Sequence, residues 1–556
     1  MKQKIHINII FTICLFFLIN IISHFYFERV DLTSAKKYSI SKETKNLISN
    51  IEDIIFFKIY LHGDIPVEYK RLANELKYIL NELKAYSKYI EYEFVDPSQI
   101  TNEEYKVQLQ KELYSKGITP VPHRNYTNNK MEETWIFPGL IATYKTQETG
   151  ISLISKAITN NTNSMIETSI NDLEYSLVSL LKTLTTKKKK IGLINGHGEM
   201  NGNQILSFKE MMGKDYQLID LAPLNGQLSA LDGLDAVIIN NPKQMFDEKD
   251  KFIIDQFIMH GGKSIWILNG NTASMDSLER KNETLVMPIE NRNLHDLLFK
   301  YGIRINNDII QDIQAVSIPI VTHYIKEKPQ WTFFPWTFFP LLNKQDKHII
   351  TKNISPIKSQ FPSSIDIIDN DIQKMILLTT TPNTQIQTPP TIVNLELLKE
   401  PLNEELFNSG KKNIAVLLEG RFESVFTNRI PLTIKNNKDI QFRSNSVNEN
   451  KIIVISDGSI IQNQFLKGQN LPIGFDKHTG KQYGNDEFMR NAIDYLLGNE
   501  ILIEARSKNI SVRLLNQQKI KSEKNFWQIF NLISPIIILL LIGISLQLIR
   551  KQKYQR

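Results

Sequence analysis

The chain has 556 residues, 42% of them hydrophobic and 22% charged. These are the proportions of a folded polypeptide of two or three domains, not of a disordered one. A net charge of +7 with no basic stripe of interleaved aromatics argues against nucleic-acid binding, and the single cysteine, Cys14, excludes an intramolecular disulfide, a Cys-based zinc site and a CxxC redox pair.

In chain order, the first element is an uncharged run from Ile5 to Phe27, preceded by Lys2 and Lys4 and closed by Phe25, Tyr26 and Phe27. At about 1.5 Å per residue it can cross about 30 Å of hydrocarbon. No small-x-small cleavage site follows, so residues 1–28 are expected to be an uncleaved transmembrane anchor. Residues 29–160 read as a small α/β domain. Ile54–Leu61 is a predicted strand, Glu68–Tyr86 a helix with Leu72, Leu76, Ile79, Leu80 and Leu83 on one face, and Ile90–Val95 a second strand stopped by Asp96-Pro97. The resulting βαβ unit is thioredoxin-like in order, but the loop after its first strand, His62-Gly63-Asp64-Ile65-Pro66, carries no thiol. Residues 161–189 are expected to be a connecting segment, with a helix over 169–185 whose apolar stripe packs on its own domain or on a partner.

From Lys190 to about residue 510 short apolar runs alternate with helical patterns: strands at Ile191–Asn195, Gln217–Leu221, Ala236–Asn240 and Ser264–Leu268, helices at Ile205–Met212 and Asp247–Met259, the second with Asp247 as its expected N-cap. This alternation predicts a larger α/β domain, a flavodoxin- or amidotransferase-like parallel sheet covered on both faces and extended by Ala415–Leu418 and Ile452–Ile455. Thr379–Thr391 and Lys435–Asn450 read as exposed loops. Residues 511–556 hold a second apolar run, Trp527–Ile549, followed by Arg550, Lys551, Lys553 and Arg556. Two basic ends predict two transmembrane anchors in the inner membrane, with residues 28–526 on the periplasmic side.

The strand exits carry the residues best suited to bind a ligand: Gly196, His197, Gly198 and Glu199, then Asn240, Asn269 and Asp457. In an open parallel sheet these ends line the crevice. The same residue types also serve as ordinary turn formers, and that alternative stays open. Catalytic templates fail. Gly262-Lys263-Ser264 lacks the glycine that a phosphate loop requires at Phe257, and no GxSxG, HExxH or GxGxxG occurs. His197 has no second histidine at ligand spacing, so neither a metal nor a cofactor is expected. Residues 331–340 read WTFFPWTFFP, one pentapeptide twice. Its prolines argue against a long helix or an inner strand, so a loop is expected. Trp331, Phe333, Phe334, Trp336, Phe338 and Phe339 are then core, a partner contact or a lipid-facing surface.

Several phrases in order carry a family resemblance: Arg29–Thr33 with Tyr38–Ser41, Asn195–Glu199, Gly261–Lys263, Leu294–Asp308, Leu417–Phe422, Ser456–Gly458 and Tyr483–Leu496. Together they resemble the GldG family of gliding-motility-associated ABC transporter auxiliary components of Bacteroidota. The doubled WTFFP departs from that family, where one aromatic-proline block is more typical. The resemblance implies a non-catalytic, membrane-anchored, extracytoplasmic "substrate-binding" partner of a permease and an ATPase, with lipid as its other neighbour and homo-oligomerisation left open. It supplies no catalytic residues. The alternative is an extracytoplasmic hydrolase of envelope components using His197, Glu199 and Asp457.

Overall fold

The computed structural model describes residues 15–16, 40–100, 102–127, 130–154, 162–289, 292–325, 327–345, 347–437, 440–507 and 517–554. The expected N-terminal anchor lies outside them except for Leu15 and Phe16, as does the phrase Arg29–Thr33. One compact unit ends at Asn509, and a second comprises Ile510–Arg556.

The first unit contains a four-stranded sheet built around the predicted βαβ segment. Helix α1 (Lys42–Ser49) starts at Ser41, whose hydroxyl accepts the Thr44 N–H as an N-cap. Strand β1 (Ile55–Ile59) is followed by α2 (Val67–Tyr86) and β2 (Ile90–Phe94), and then by β3 (Gly139–Tyr144) and β4 (Gln147–Ser152). The order is β2-β1-β3-β4, with β1 parallel to β2 and antiparallel to β3. Leu72, Leu76, Leu80 and Leu83 of α2 pack on Ile55, Phe57 and Ile59. The expected connecting helix is two helices, α3 (Thr162–Asn171) and α4 (Leu173–Thr185), broken at Asp172. Its stripe is not offered outward. Leu173, Leu177, Leu180, Leu181 and Leu184 belong to the core of the small sheet. On the other side Tyr175 and Val178 pack on Leu502 and Ala505.

The larger sheet has twelve strands. Its main path uses β5 (Lys190–Leu193), β6 (Gln217–Asp220), β7 (Ala236–Asn240), β8 (Lys263–Ile267), β9 (Ala315–Ile325), β10 (Lys328–Lys344), β11 (Gln373–Thr379), β12 (Asn413–Gly420) and β13 (Asn450–Ile455). The order is β9-β10-β11-β12-β13-β8-β7-β5-β6. Strands β13, β8, β7, β5 and β6 are parallel. Alternate residues fill two layers, as the period of two requires. Ile238, Ile265 and Ile453 face α6 (Asn485–Leu496) through Phe488, Met489 and Ile493. Val237, Ile239, Trp266 and Val454 face α5 (Glu248–Met259) through Ile253, Ile254 and Ile258. Asp247 caps α5 by accepting the Asp250 N–H, as predicted. Helix α7 (Glu500–Ser507) ends the described part of this unit.

Three expectations change. The sheet is mixed, because β12, which contains Ala415–Leu418, runs antiparallel to β13 and β11. Thr379–Thr391 is not an exposed loop: Thr384–Gln387 pairs with Ile309–Asp312, and Thr391–Asn394 pairs with Glu283–Val286. WTFFPWTFFP is not a loop either, but the middle of β10. Up to Pro335 that strand pairs, among the described residues, only with β9, and proline is tolerated where a strand needs no outward N–H partner.

The two copies of the pentapeptide have opposite fates. Trp331, Thr332, Phe333 and Pro335 of the first copy are exposed, whereas all five residues of the second, Trp336 to Pro340, are buried. Between the pairs Ser317–Pro335 and Ala315–Pro340, β9 advances two residues and β10 five, so β10 bulges. The bulge folds Trp336, Phe338 and Phe339, 2%, 1% and 3% exposed, into a core with Phe361 and Tyr483. Trp331 and Phe333 stay 58% and 47% exposed.

The second unit is helix α8 (Gln517–Tyr554), in which Phe526–Lys551 has a mean hydropathy of 2.6 and is not buried. It contains the expected second apolar run and is long enough to span hydrocarbon.

The pentapeptide geometry predicts that Trp336→Ala lowers stability by about 3–5 kcal/mol, whereas Trp331→Ala changes it by less than about 0.5 kcal/mol. Urea unfolding followed by circular dichroism distinguishes the two, and equal losses contradict the assignment of the second copy alone to the core.

Candidate functional site

The turn after β5 forms around His197. Gly196 and Gly198 have φ of +119° and +74°, a region that favours glycine. The His197 ring is buried and stacks on Phe246 with centroids 3.6 Å apart. Its Nδ1 lies 3.1 Å from Glu199 Oε1 and its Nε2 lies 3.1 Å from Asp250 Oδ2. Glu199 Oε2 also accepts the His197 N–H at 2.7 Å, and Asp250 Oδ1 accepts the Gly226 N–H at 2.7 Å. Burial by itself lowers the His197 pKa, but the hydrogen bonds and charges of Glu199 and Asp250 outweigh it and raise the value above the ordinary one. With both ring nitrogens held by carboxylates, the imidazole clamps the β5 turn to the start of α5. Neither nitrogen is free to take a proton from a substrate. The pairing with Glu199 was legible from positions two residues apart. Asp250, in the first turn of α5, reads in sequence only as a helix start.

Asn240 and Asp457 are also buried in the scaffold. Asn240 Nδ2 donates to the Met200 carbonyl at 2.8 Å. Asp457 accepts from the Ser359 hydroxyl at 2.7 Å, the Gln360 N–H at 3.2 Å and the Ser459 N–H and hydroxyl at 2.8 and 2.6 Å. Burial raises its pKa against these bonds. Asn269 ties two strand exits together: its Oδ1 accepts the Gly458 N–H at 2.5 Å, and its carbonyl accepts from Arg292 Nη1. Arg292, not singled out in the sequence, is buried and also donates to the Pro242 carbonyl at 2.7 Å and to Asn241 Oδ1 at 3.4 Å. Burial pushes its pKa down to about 10.

These exits border a cleft of about 1210 Å³. Asn241, Asn269 and Gly458 line it at the carboxyl ends of β7, β8 and β13, where an open α/β sheet places its ligands. A Cβ on Gly458 would stand 2.2 Å from Asn241 Nδ2, so this close approach requires glycine. Ile318, Trp331, Phe339 and Phe361 line it as well, so the aromatic repeat contributes to a wall of the same cleft. Lys358 and Asp476, both buried and paired at 2.5 Å, also line it. Of the expected ligand residues, Asn269 lines the cleft, while Gly196, His197, Gly198, Glu199, Asn240 and Asp457 do not. Of the aromatic set, Trp331 and Phe339 line it, and Phe333, Phe334, Trp336 and Phe338 do not. Among the described residues no group of three or more His, Cys, Asp or Glu side chains is arranged to hold a metal.

Residues 188–492 match a family of auxiliary components described as an ABC-type uncharacterized transport system. Residues 34–143 match a domain of unknown function. An uncharacterized protein of Borreliella burgdorferi strain B31 is 23% identical over 566 aligned positions, covering 99% of each chain. The solved N-terminal domain of mmIFT52 aligns with 55% of this chain and 97% of its own at 14% identity, with a TM-score of 0.31.

The His197 clamp predicts a pH signature. Because its folded pKa is raised, its contribution to stability is complete below the unfolded value of about 6.5 and is lost as pH rises through the folded value. The urea midpoint of the wild type should therefore fall relative to that of His197→Gln as pH rises above about 6.5. Parallel pH profiles for the two proteins contradict the clamp.

Proposed function

The chain belongs to the ABC-type uncharacterized transport system family of auxiliary components, and from that premise we propose that it is a non-catalytic accessory subunit of an ABC transport complex in the inner membrane. It is held at both ends, with residues 28–526 on the periplasmic side, and works with a permease and an ATPase of the kind associated with gliding motility. The observation that carries this reading is Phe526–Lys551, an apolar helix that is not buried, whereas the apolar strands Ala236–Asn240, Lys263–Ile267 and Asn450–Ile455 are packed in cores. Such a surface is stable against lipid or another membrane helix, not against water. Arg550 and Lys551 follow it, which favours a cytoplasmic end there.

In this reading the folded part offers two working surfaces. The cleft at the strand ends, with Asn241, Asn269 and Gly458 on its floor, is where the subunit holds a ligand. The outer part of the β9–β10 hairpin, with Tyr324 and Phe333 exposed, contacts the permease. A hydrolase centred on His197 gains no support, because Glu199 and Asp250 occupy both of its ring nitrogens.

The test is affinity purification of the full chain from membranes of its own host. Permease and ATPase should be recovered with the wild type. Tyr324→Ala/Phe333→Ala should keep the wild-type urea midpoint yet recover the permease several-fold less well. A wild type that brings down neither transporter subunit overturns the accessory role, and full recovery with the double variant removes the hairpin from the interface.

A further inference from the structure

The strand-end cleft contains a second level of information in the chemistry of its walls. Four glutamines line it, and the side-chain amides of three, Gln204, Gln360 and Gln462, make no hydrogen bond to the described residues. Each amide presents a donor and an acceptor together. Trp331 adds an exposed indole to the lining, with Phe339 and Phe361. The charged groups offer no matching call for an ionic ligand. Lys358 and Asp476 neutralise each other at 2.5 Å, and the remaining lining charges, two lysines (Lys243, Lys477) and two carboxylates (Asp276, Glu279), sum to zero. At about 1210 Å³ the space exceeds the roughly 300–1,000 Å³ of an ordinary small-molecule pocket.

We propose that this cleft binds a neutral oligosaccharide, with one sugar ring stacked on Trp331 and its hydroxyls bonded to Gln360 and Gln462. A pyranose has an apolar C–H face and a rim of hydroxyls, each both donor and acceptor. A cleft with one aromatic wall and uncharged amides around it is complementary to that pattern. A peptide fits less well. Recognition by strand addition needs a continuous edge of N–H groups, and Pro329 and Pro335 interrupt the outer edge of β10.

The proposal rests on reading the cleft as the ligand site of the accessory subunit, and the experiment separates the two. The full chain in lipid nanodiscs, free of glycoside detergent, is titrated calorimetrically with tetra-N-acetylchitotetraose, maltotetraose and tetraalanine. At least one tetrasaccharide should bind saturably with Kd between about 10 μM and 1 mM, and tetraalanine should not bind. Trp331→Ala and Gln360→Ala/Gln462→Ala should each weaken sugar binding about tenfold or more. Each variant should keep the wild-type urea midpoint. No saturable binding of either sugar up to about 10 mM, tighter binding of tetraalanine, or unchanged sugar affinity in both variants overturns the proposal. Permease recovery measured on the same wild-type preparation reports on the accessory role, so retained recovery with no sugar binding removes the ligand class alone.

Discussion

The cleft depends on one packing event, the burial of the second WTFFP copy directly after an exposed first copy in the same strand. Trp331, Thr332, Phe333 and Pro335 are exposed, and Trp336 to Pro340 are all buried. The bulge that follows drives the second copy inward, where Phe339 meets Phe361 at 5.2 Å and Trp336 meets Phe338 at 4.9 Å. Burying these rings fixes β10 against the rest of the sheet and leaves the first copy to face outward. The aromatic wall of the cleft therefore stands on a packed aromatic core rather than on a free loop.

A second set of interactions joins the small sheet to the large one. Asp215, at the end of the turn before β6, accepts hydrogen bonds from Tyr175 and Ser179 of α4. Asp494 of α6 accepts from Tyr216 and from Arg506 of α7. Asn499 adds bonds to Tyr216 and Lys182. Buried ions carry a desolvation cost, and these are offset by having several donors each. Burial raises the Asp494 pKa despite Arg506 and Tyr216. Polar connections of this kind specify one docking geometry where an apolar contact would tolerate sliding, and they make α4 an integral part of the folded body.

The candidate site divides in the same way between local and distant causes. The Gly-His-Gly-Glu turn was visible as an unusual strand exit, but its partners decide its role. Asp250 and Phe246, about fifty residues further on, turn a possible base into a clamp. Arg292 follows a short stretch with no regular pattern, and only its burial among the carbonyls of Pro242 and Asn269 marks it as the pin beneath the cleft. Asn269 was recognisable because it ends a buried parallel strand, the position that sheet topology exposes to a crevice.

From the sequence alone, periodicity determined the local elements: the β1-α2-β2 unit, the buried parallel strands with their covering helices, the Asp247 cap and the apolar helix at the end of the chain. These depend on spacing between near neighbours, which a linear pattern records. Tertiary structure alone decided the antiparallel course of β12, the strand in place of a proline-rich loop, and the meeting of the aromatic repeat with the strand exits. Each of these requires residues far apart in sequence to pair or pack, and the free energy of that pairing appears only when the partner's position is known.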